Sequence, residues 1–285
     1  MAPSISLFDL TPGKTIEGRF EILRSFRQGT MSATFEVKDG DDVRELQVFP
    51  AGLFESAEQG TEFGAELRRW QKVQCDSVLR VHEVISKEDG SILTVSDFPP
   101  GDSLRAHLNE AGTLSAEDTI RLGLRILDGL VEAHVHDLVH GDIKPYTLHM
   151  PAGEPSSAVL VDGGITTGLW SAKGLGEKTA LIGTPIYAPA EQFGGESPNV
   201  QSDIYNLATV LFEAVCGTVP WPGKSFLEIF QAKLDKAAPS MRRAAPDIEV
   251  DPEVEKAIVG GLMTDSRERY GSAVEFRDAL QKLGA

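Results

Sequence analysis

Two aspartates near the middle of the chain stand in settings where a carboxylate can do chemistry. Asp142 lies in His140-Gly141-Asp142-Ile143-Lys144-Pro145-Tyr146-Thr147-Leu148, two residues ahead of a lysine. Asp162 closes the apolar run Ala158-Val159-Leu160-Val161 and is followed by Gly163-Gly164. The first stretch follows an apolar helix that ends at His134-Val135-His136-Asp137-Leu138, so a helix, a loop with one Asp, a strand pair and a second Asp come in order. An ionised carboxylate in such a place can accept a proton or ligate a hard cation through oxygen.

The elements around these residues are strand-rich first and helix-rich later. Residues 1–18 are polar and broken by Pro3, Pro12, Gly13 and Gly18 around one apolar knot, Leu7-Phe8, which predicts an extended arm. From Phe20 the spacing predicts three antiparallel strands, FEILRSF, ATFEV and VRELQVF, with turns at Gln28-Gly29-Thr30 and Asp39-Gly40-Asp41-Asp42. A helix over residues 55–73 carries Phe63, Leu67 and Trp70 on one stripe. Two further strands, VLRVHEVI and SILTVSDF, turn at Lys87-Glu88-Asp89-Gly90. Pro99-Pro100-Gly101 reads as a hinge, with Ser103 capping a helix over 104–110. Ser115-Ala116-Glu117-Asp118 has the form of a capping box and opens a long helix over 119–136. Residues 201–216 repeat apolar positions at Ile204, Leu207, Ala208, Leu211, Phe212 and Val215, the pattern of a buried central helix. More helices are expected near Phe226–Lys233, 252–263 and 272–283.

The 285 residues suffice for one large domain or two lobes sharing a core. Hydrophobic content of 41% and charged content of 25% are ordinary for a soluble globular chain. No apolar run approaches the ~20 residues of a membrane helix, and the N-terminus lacks a basic-then-apolar signal. A cytoplasmic domain without membrane insertion is expected, either whole or cut from a longer membrane-anchored protein. The net charge of −16 argues against a nucleic-acid partner, since affinity for phosphate backbones comes from clustered Lys and Arg. The acidity suits a solubilising surface or a docking face for a basic partner. Cys75 and Cys216 form no metal spacing and are expected as buried free thiols.

Over residues 18–283 the chain resembles a bacterial Ser/Thr protein kinase domain. Phe20-Glu21-Ile22-Leu23 is similar to its opening, Gly183-Thr184-Pro185-Ile186-Tyr187 to the end of its activation segment, and Ser202-Asp203-Ile204-Tyr205 to the start of its central helix. Asp265-Ser266-Arg267-Glu268-Arg269-Tyr270 resembles a late family signature, and Lys144 favours a Ser/Thr over a Tyr kinase ancestry. The resemblance implies an α+β, bilobal fold: an arm over 1–18, an N-lobe over 19–98 with a five-stranded antiparallel sheet plus one helix, and a mainly α-helical C-lobe over 99–285. The usual patterns around the two aspartates are H-R-D-L-x-x-x-N and D-F-G. Here Arg has become Gly141, Asn has become Thr147 and Phe has become Gly163.

The resemblance assigns Asp142 to the catalytic base, with Lys144 beside it, and Asp162 to the principal Mg²⁺ ligand. The competing reading has Asp142 bonded to buried backbone and Lys144, and Asp162 paired with a cation such as Arg27. The glycine-rich loop is reduced to Arg27-x-Gly29-x-x-Ser32, one glycine of three. Arg27 can cover the nucleotide region, fold into the phosphate site, or donate to phosphate itself. Gln47 stands where the phosphate-holding lysine belongs and can hydrogen-bond Glu66, the matching helix acid, without bringing charge. Losing such a charged hydrogen bond removes about 1.5–3 kcal/mol. Asp97, ahead of the hinge, belongs to the same degraded nucleotide site. Thr147 replaces a carbonyl ligand of a second Mg²⁺ with a shorter and poorer one.

Without the loop arginine, Thr179 and Thr184 are weak phosphorylation switches. Gly163 leaves a hole between the lobes that Trp70 can fill. Scaffold residues persist: Glu191 with its partner Arg269, and Asp203, which holds the catalytic-loop backbone. The expectation is a catalytically impaired or inactive kinase-like domain, a pseudokinase that binds a protein partner, with ATP and Mg²⁺ absent or weakly held. The alternatives are an atypical live Ser/Thr kinase and a non-catalytic nucleotide sensor.

Overall fold

The computed structural model describes residues 10–28, 31–173, 183–234 and 239–284. Its N-terminal lobe is an antiparallel sheet in the order β1-β2-β3-β4-β6-β5. The strands are β1 (Thr15–Ile16), β2 (Phe20–Gln28), β3 (Ala33–Asp39), β4 (Asp42–Phe49), β5 (Val81–Ser86) and β6 (Ile92–Asp97). Six strands replace the expected five, because the end of the arm folds back on β2. Glu17 and Gly18 both take positive φ, 54° and 64°, and so close a turn tight enough to pair Ile16 with Phe20. Ile16 is buried by that pairing. The Leu7-Phe8 knot lies outside the described residues.

Alternation along β4 decides what faces the cleft. Leu46 and Val48 enter a core with Phe20, Ile22, Phe35, Val37, Leu93 and Val95. Glu45 and Gln47 point to the opposite face, toward the interior between the lobes. On that face α1 (Ala57–Arg69) is capped by Ser56, whose hydroxyl accepts from the Gln59 amide at 3.3 Å. It buries Phe63 against Phe49 with ring centroids 4.8 Å apart. A 3₁₀ turn over Trp70–Lys72 ends the helix and carries Trp70 inward, 3% exposed.

The C-terminal lobe is built around α6 (Val200–Cys216), buried at every residue from Ser202 onward. Packed with it are α2 (Leu104–Ala111), α3 (Ala116–Val135), α7 (Phe226–Lys233), α8 (Met241–Ala244), α9 (Pro252–Gly260) and α10 (Ala273–Gln281). A small antiparallel sheet, β7 (Asp102–Ser103), β8 (Leu148–Met150) and β9 (Val159–Leu160), flanks the loop that carries Asp142. Two short helices, α4 (Ile165–Ala172) and α5 (Ala190–Phe193), complete the lobe. Ser115 caps α3 by accepting from the Asp118 amide at 3.0 Å, but its own hydroxyl donates to the Asp118 carboxylate, so the reciprocal backbone bond of a capping box is missing. The complete box sits at α6, between Asn199 and Ser202.

Cys216 is buried, and burial pushes its thiol up to about 11. Cys75 is only half-buried, its sulfur 3.2 Å from Ser77 Oγ, because it sits at the mouth of a surface pocket behind the hinge. Among the described residues no helix is long and apolar enough to cross a membrane.

Candidate active-site cleft

The loop carrying Asp142 hangs from α6. Asp203, fully buried, accepts from the amides of His140 (2.9 Å) and Gly141 (2.7 Å) and contacts His134 Nε2 at 3.0 Å. His140 Nε2 meets the carbonyl of Val161 at 2.8 Å, which ties this loop to the segment between β9 and Asp162. Gly141 takes φ +79°, and a Cβ there would stand 3.0 Å from Pro198 Cβ. The arginine that the resemblance leads one to look for would be strained by this left-handed backbone and would crowd Pro198. Asp142 accepts from the Thr184 amide at 2.8 Å and pairs with Lys144, whose ammonium also donates to Thr184 Oγ1 at 3.0 Å. Asp142 therefore bonds both Lys144 and backbone, as the competing reading of the sequence had it. Thr179 lies outside the described residues.

Across the cleft, Arg27 on β2 reaches Asp162. Nη1 lies 2.9 Å from Oδ2 and Nη2 lies 3.1 Å from Oδ1, a bidentate fork. The same Nη2 is 3.1 Å from Glu45, so one guanidinium serves two carboxylates. Glu45 is buried, and that burial drives its carboxyl upward to about 7, Arg27 opposing the shift and Asp162 adding to it. Asp162 itself takes φ +65°, an uncommon conformation for a residue with a side chain.

Gln47 does not bond Glu66. Its amide donates to Ser32 Oγ at 3.0 Å, while Glu66 pairs with Arg69 at 2.8 Å. Near Glu66 stands α4, which the sequence pattern did not predict. It inserts beside α1, with Gly168 so close that a Cβ would lie 3.0 Å from Phe63 and 3.5 Å from the Glu66 Cβ. Arg69 in turn donates to the Asp137 carbonyl at 3.0 Å, fastening the end of α1 to the C-terminal lobe. Thr147 is occupied within the loop: its hydroxyl accepts from the Lys144 amide and donates to the Lys144 carbonyl, both at 3.0 Å. Asp97 does not join the cleft, because its carboxylate is held by Arg44 and by His82 Nε2 at 2.7 Å. Gly29 lies outside the described residues.

Trp70 does occupy the space left by Gly163. A Cβ on Gly163 would lie 2.4 Å from Trp70 Cε3, and one on Gly164 2.3 Å from its Nε1. The indole meets His140 edge-on at 6.1 Å. Nearer the hinge, Phe26 contacts Phe98 (4.8 Å) and His149 (6.3 Å), with Arg24 over the first two rings. This aromatic trio spans both lobes. Its signal in the sequence was faint, since three rings in three separate elements share no period. Away from the cleft, Arg269 is sealed from solvent and forks onto Glu191 at 2.7 and 3.0 Å, as expected.

A sheet lobe hinged to a helical lobe, with a loop aspartate and a strand-end aspartate lining the cleft between them, is the architecture of the protein kinases. The protein kinase domain family model matches residues 22–282, and the chain belongs to that family. Serine/threonine-protein kinase PrkC of Bacillus subtilis is 27% identical over 269 residues, which cover 93% of this chain and 40% of PrkC. Serine/threonine-protein kinase PknD of Mycobacterium tuberculosis is 28% identical over 275 residues, 92% of this chain and 40% of the relative. The chain thus spans about 40% of the length of these relatives. The kinase domain of M. tuberculosis PknI superposes with a TM-score of 0.72 at 19% identity, covering 96% of this chain and 98% of that one. Rad53 residues 1–466, solved with AMP-PNP, gives 0.75 at 16% identity, covering 91% and 64%. These structural likenesses speak to the fold.

Proposed function

We propose that this domain is a pseudokinase, a kinase fold that acts by binding another protein rather than by transferring phosphate. The observation that carries the reading is the Arg27 fork on Asp162. A metal-binding carboxylate must offer its oxygens to the cation at about 2.0–2.1 Å for Mg²⁺. Here both oxygens accept from a guanidinium whose own charge repels a metal. Gln47 supplies no charge to phosphate, and the Thr147 hydroxyl is committed to its own loop. As arranged, these donors do not fit a metal-bridged triphosphate. The net charge of −16 speaks against a nucleic-acid partner, and the proposed location is the cytoplasm, as a free domain or part of a longer protein.

One arrangement favours a second reading, a live Ser/Thr kinase: Asp142, Lys144 and Thr184 keep a connected geometry around the base. Thermal-shift titration with ATP, with and without Mg²⁺ or Mn²⁺, is expected to give no metal-dependent stabilisation. Labelled ATP with generic protein substrates is expected to give no transfer. Turnover that Asp162→Ala abolishes would overturn the proposal in favour of the second reading. Stabilisation by ATP without turnover would instead make the domain a nucleotide sensor.

A further inference from the structure

Helix α7 is seated on the C-terminal lobe by Ile229, by Lys233, whose ammonium donates to the Ile186 carbonyl at 2.8 Å, and by Phe226 and Phe230 against Phe193, at ring-centroid distances of 4.7 and 5.1 Å. One flank of it, next to the seated face, is apolar, while Glu228 and Gln231 face outward. At about 100° per residue, Phe226, Phe230, Leu234 and Leu227 fall at about 0°, 40°, 80° and 100°, one continuous stripe. Phe226, Leu227 and Leu234 are 50%, 59% and 51% exposed. Three of the nine large exposed hydrophobic side chains among the described residues therefore lie within just over two turns of one helix. Apolar exposure scattered singly is normal, but a contiguous stripe marks an interaction site.

Beside the stripe runs a groove of about 710 Å³, floored by Phe230, Leu234 and Met263. Its wall carries Glu196, Asp265 and Glu268. Among the described residues lining the groove the one cation, Arg267, is already forked onto Asp265 at 2.6 and 2.9 Å. The wall is left net negative, in the field of a chain with charge −16.

We infer that α7 and this groove form a docking surface for a cationic amphipathic helix of a partner protein. The partner's apolar face would lie on the stripe, with its Lys and Arg against Glu196 and Glu268. Helix-in-groove recognition uses anchors at this spacing, and opposite potentials steer the encounter. A second copy of this chain is the poorer occupant. A two-fold contact would set the acidic wall against itself and bring a second charge of −16 with it. The inference rests on reading the domain as a binder of proteins, and it names the chemistry of what is bound.

The test is fluorescence anisotropy with a labelled 14-residue Leu/Lys helical peptide, roughly two turns past the length of α7 by the rise of about 1.5 Å per residue. Leu227→Asp with Leu234→Asp is expected to weaken binding at least tenfold. Both side chains are more than half exposed, so the unchanged urea midpoint of the variant shows that the fold survives. Glu196→Lys with Glu268→Lys is expected to weaken binding more at 50 mM than at 300 mM salt. Leu23→Asp, an exposed position on the other lobe, serves as the control and should leave binding unchanged. Binding unaffected by the α7 variants, equal binding of a Leu/Glu peptide, or equal loss in Leu23→Asp would overturn the inference. So would a dimer in sedimentation that Leu227→Asp dissolves. Phosphate transfer measured on the same protein would strike the pseudokinase reading and leave the peptide result standing, so the two failures are distinct.

Discussion

Replacing Trp70 with alanine tests how much of the join between the lobes rests on one indole. A tryptophan buries about 150–250 Å², which at about 25 cal/mol per Å² sets an upper range of roughly 4–6 kcal/mol. Alanine recovers a little of that, so the expected loss is about 3–5 kcal/mol. The figure assumes that the surroundings do not collapse into the space. Gly163 and Gly164 line it without side chains, and His140 is fixed by its bond to Val161, which supports that assumption. Urea denaturation measures the loss directly. A second variant makes the reasoning specific: Gly163→Ala places a Cβ 2.4 Å from the indole and should cost about 1–3 kcal/mol in the wild type. In the Trp70→Ala background the same change should cost almost nothing, giving a coupling of similar size. A loss below about 1 kcal/mol for Trp70→Ala, or additive costs in the double variant, would refute the account.

Arg27→Ala leaves Asp162 and Glu45 facing each other without their shared cation. The loss should be about 1–3 kcal/mol, less than the ~3–5 of a sealed pair because Arg27 is partly exposed. Millimolar Mg²⁺ should then raise the melting temperature of the variant and not of the wild type, since Asp162 is freed. Glu45 gives a pH signature: its folded carboxyl is raised by burial to about 7 from an ordinary 4.5, so the folded state holds the proton more tightly. Stability from this group should therefore fall as pH rises through that window, and fall further in Arg27→Ala; a flat urea midpoint from pH 4.5 to 7 would contradict it. Arg269→Ala strands Glu191 in a closed site and should cost about 3–5 kcal/mol by the same denaturation, a cost near zero meaning the pair is ornamental to the fold.

Much of this architecture was legible because its signals are local. The alternation in VRELQVF, the apolar repeat of α6 and the turn residues between strands each sit within one element. The Asp162–Arg27 contact was foreseen as one of several options, since only the fold brings residues 135 positions apart together. Glu45 escaped notice for the same reason: its importance comes from sharing a face with Gln47 and from burial, neither of which a lone Glu in a strand announces. The Gln47–Glu66 bond that the sequence allowed is absent, and α4 went unpredicted because a run as short as Ile165–Ala172, opened by Gly164 with no side-chain cap, carries no start signal. The sixth strand was lost to a polar, proline-broken arm whose two paired residues are too few for alternation to register.

The Pro99-Pro100-Gly101 connection has a mechanical consequence. Two successive pyrrolidine rings fix their own φ angles, and Gly101 sits where a Cβ would be 2.4 Å from the Met150 carbonyl. Rotation about φ is thus removed at two of the three residues joining the halves of the molecule. A ligand arriving at such a body meets a shape already set, and little of the association free energy is lost to ordering it.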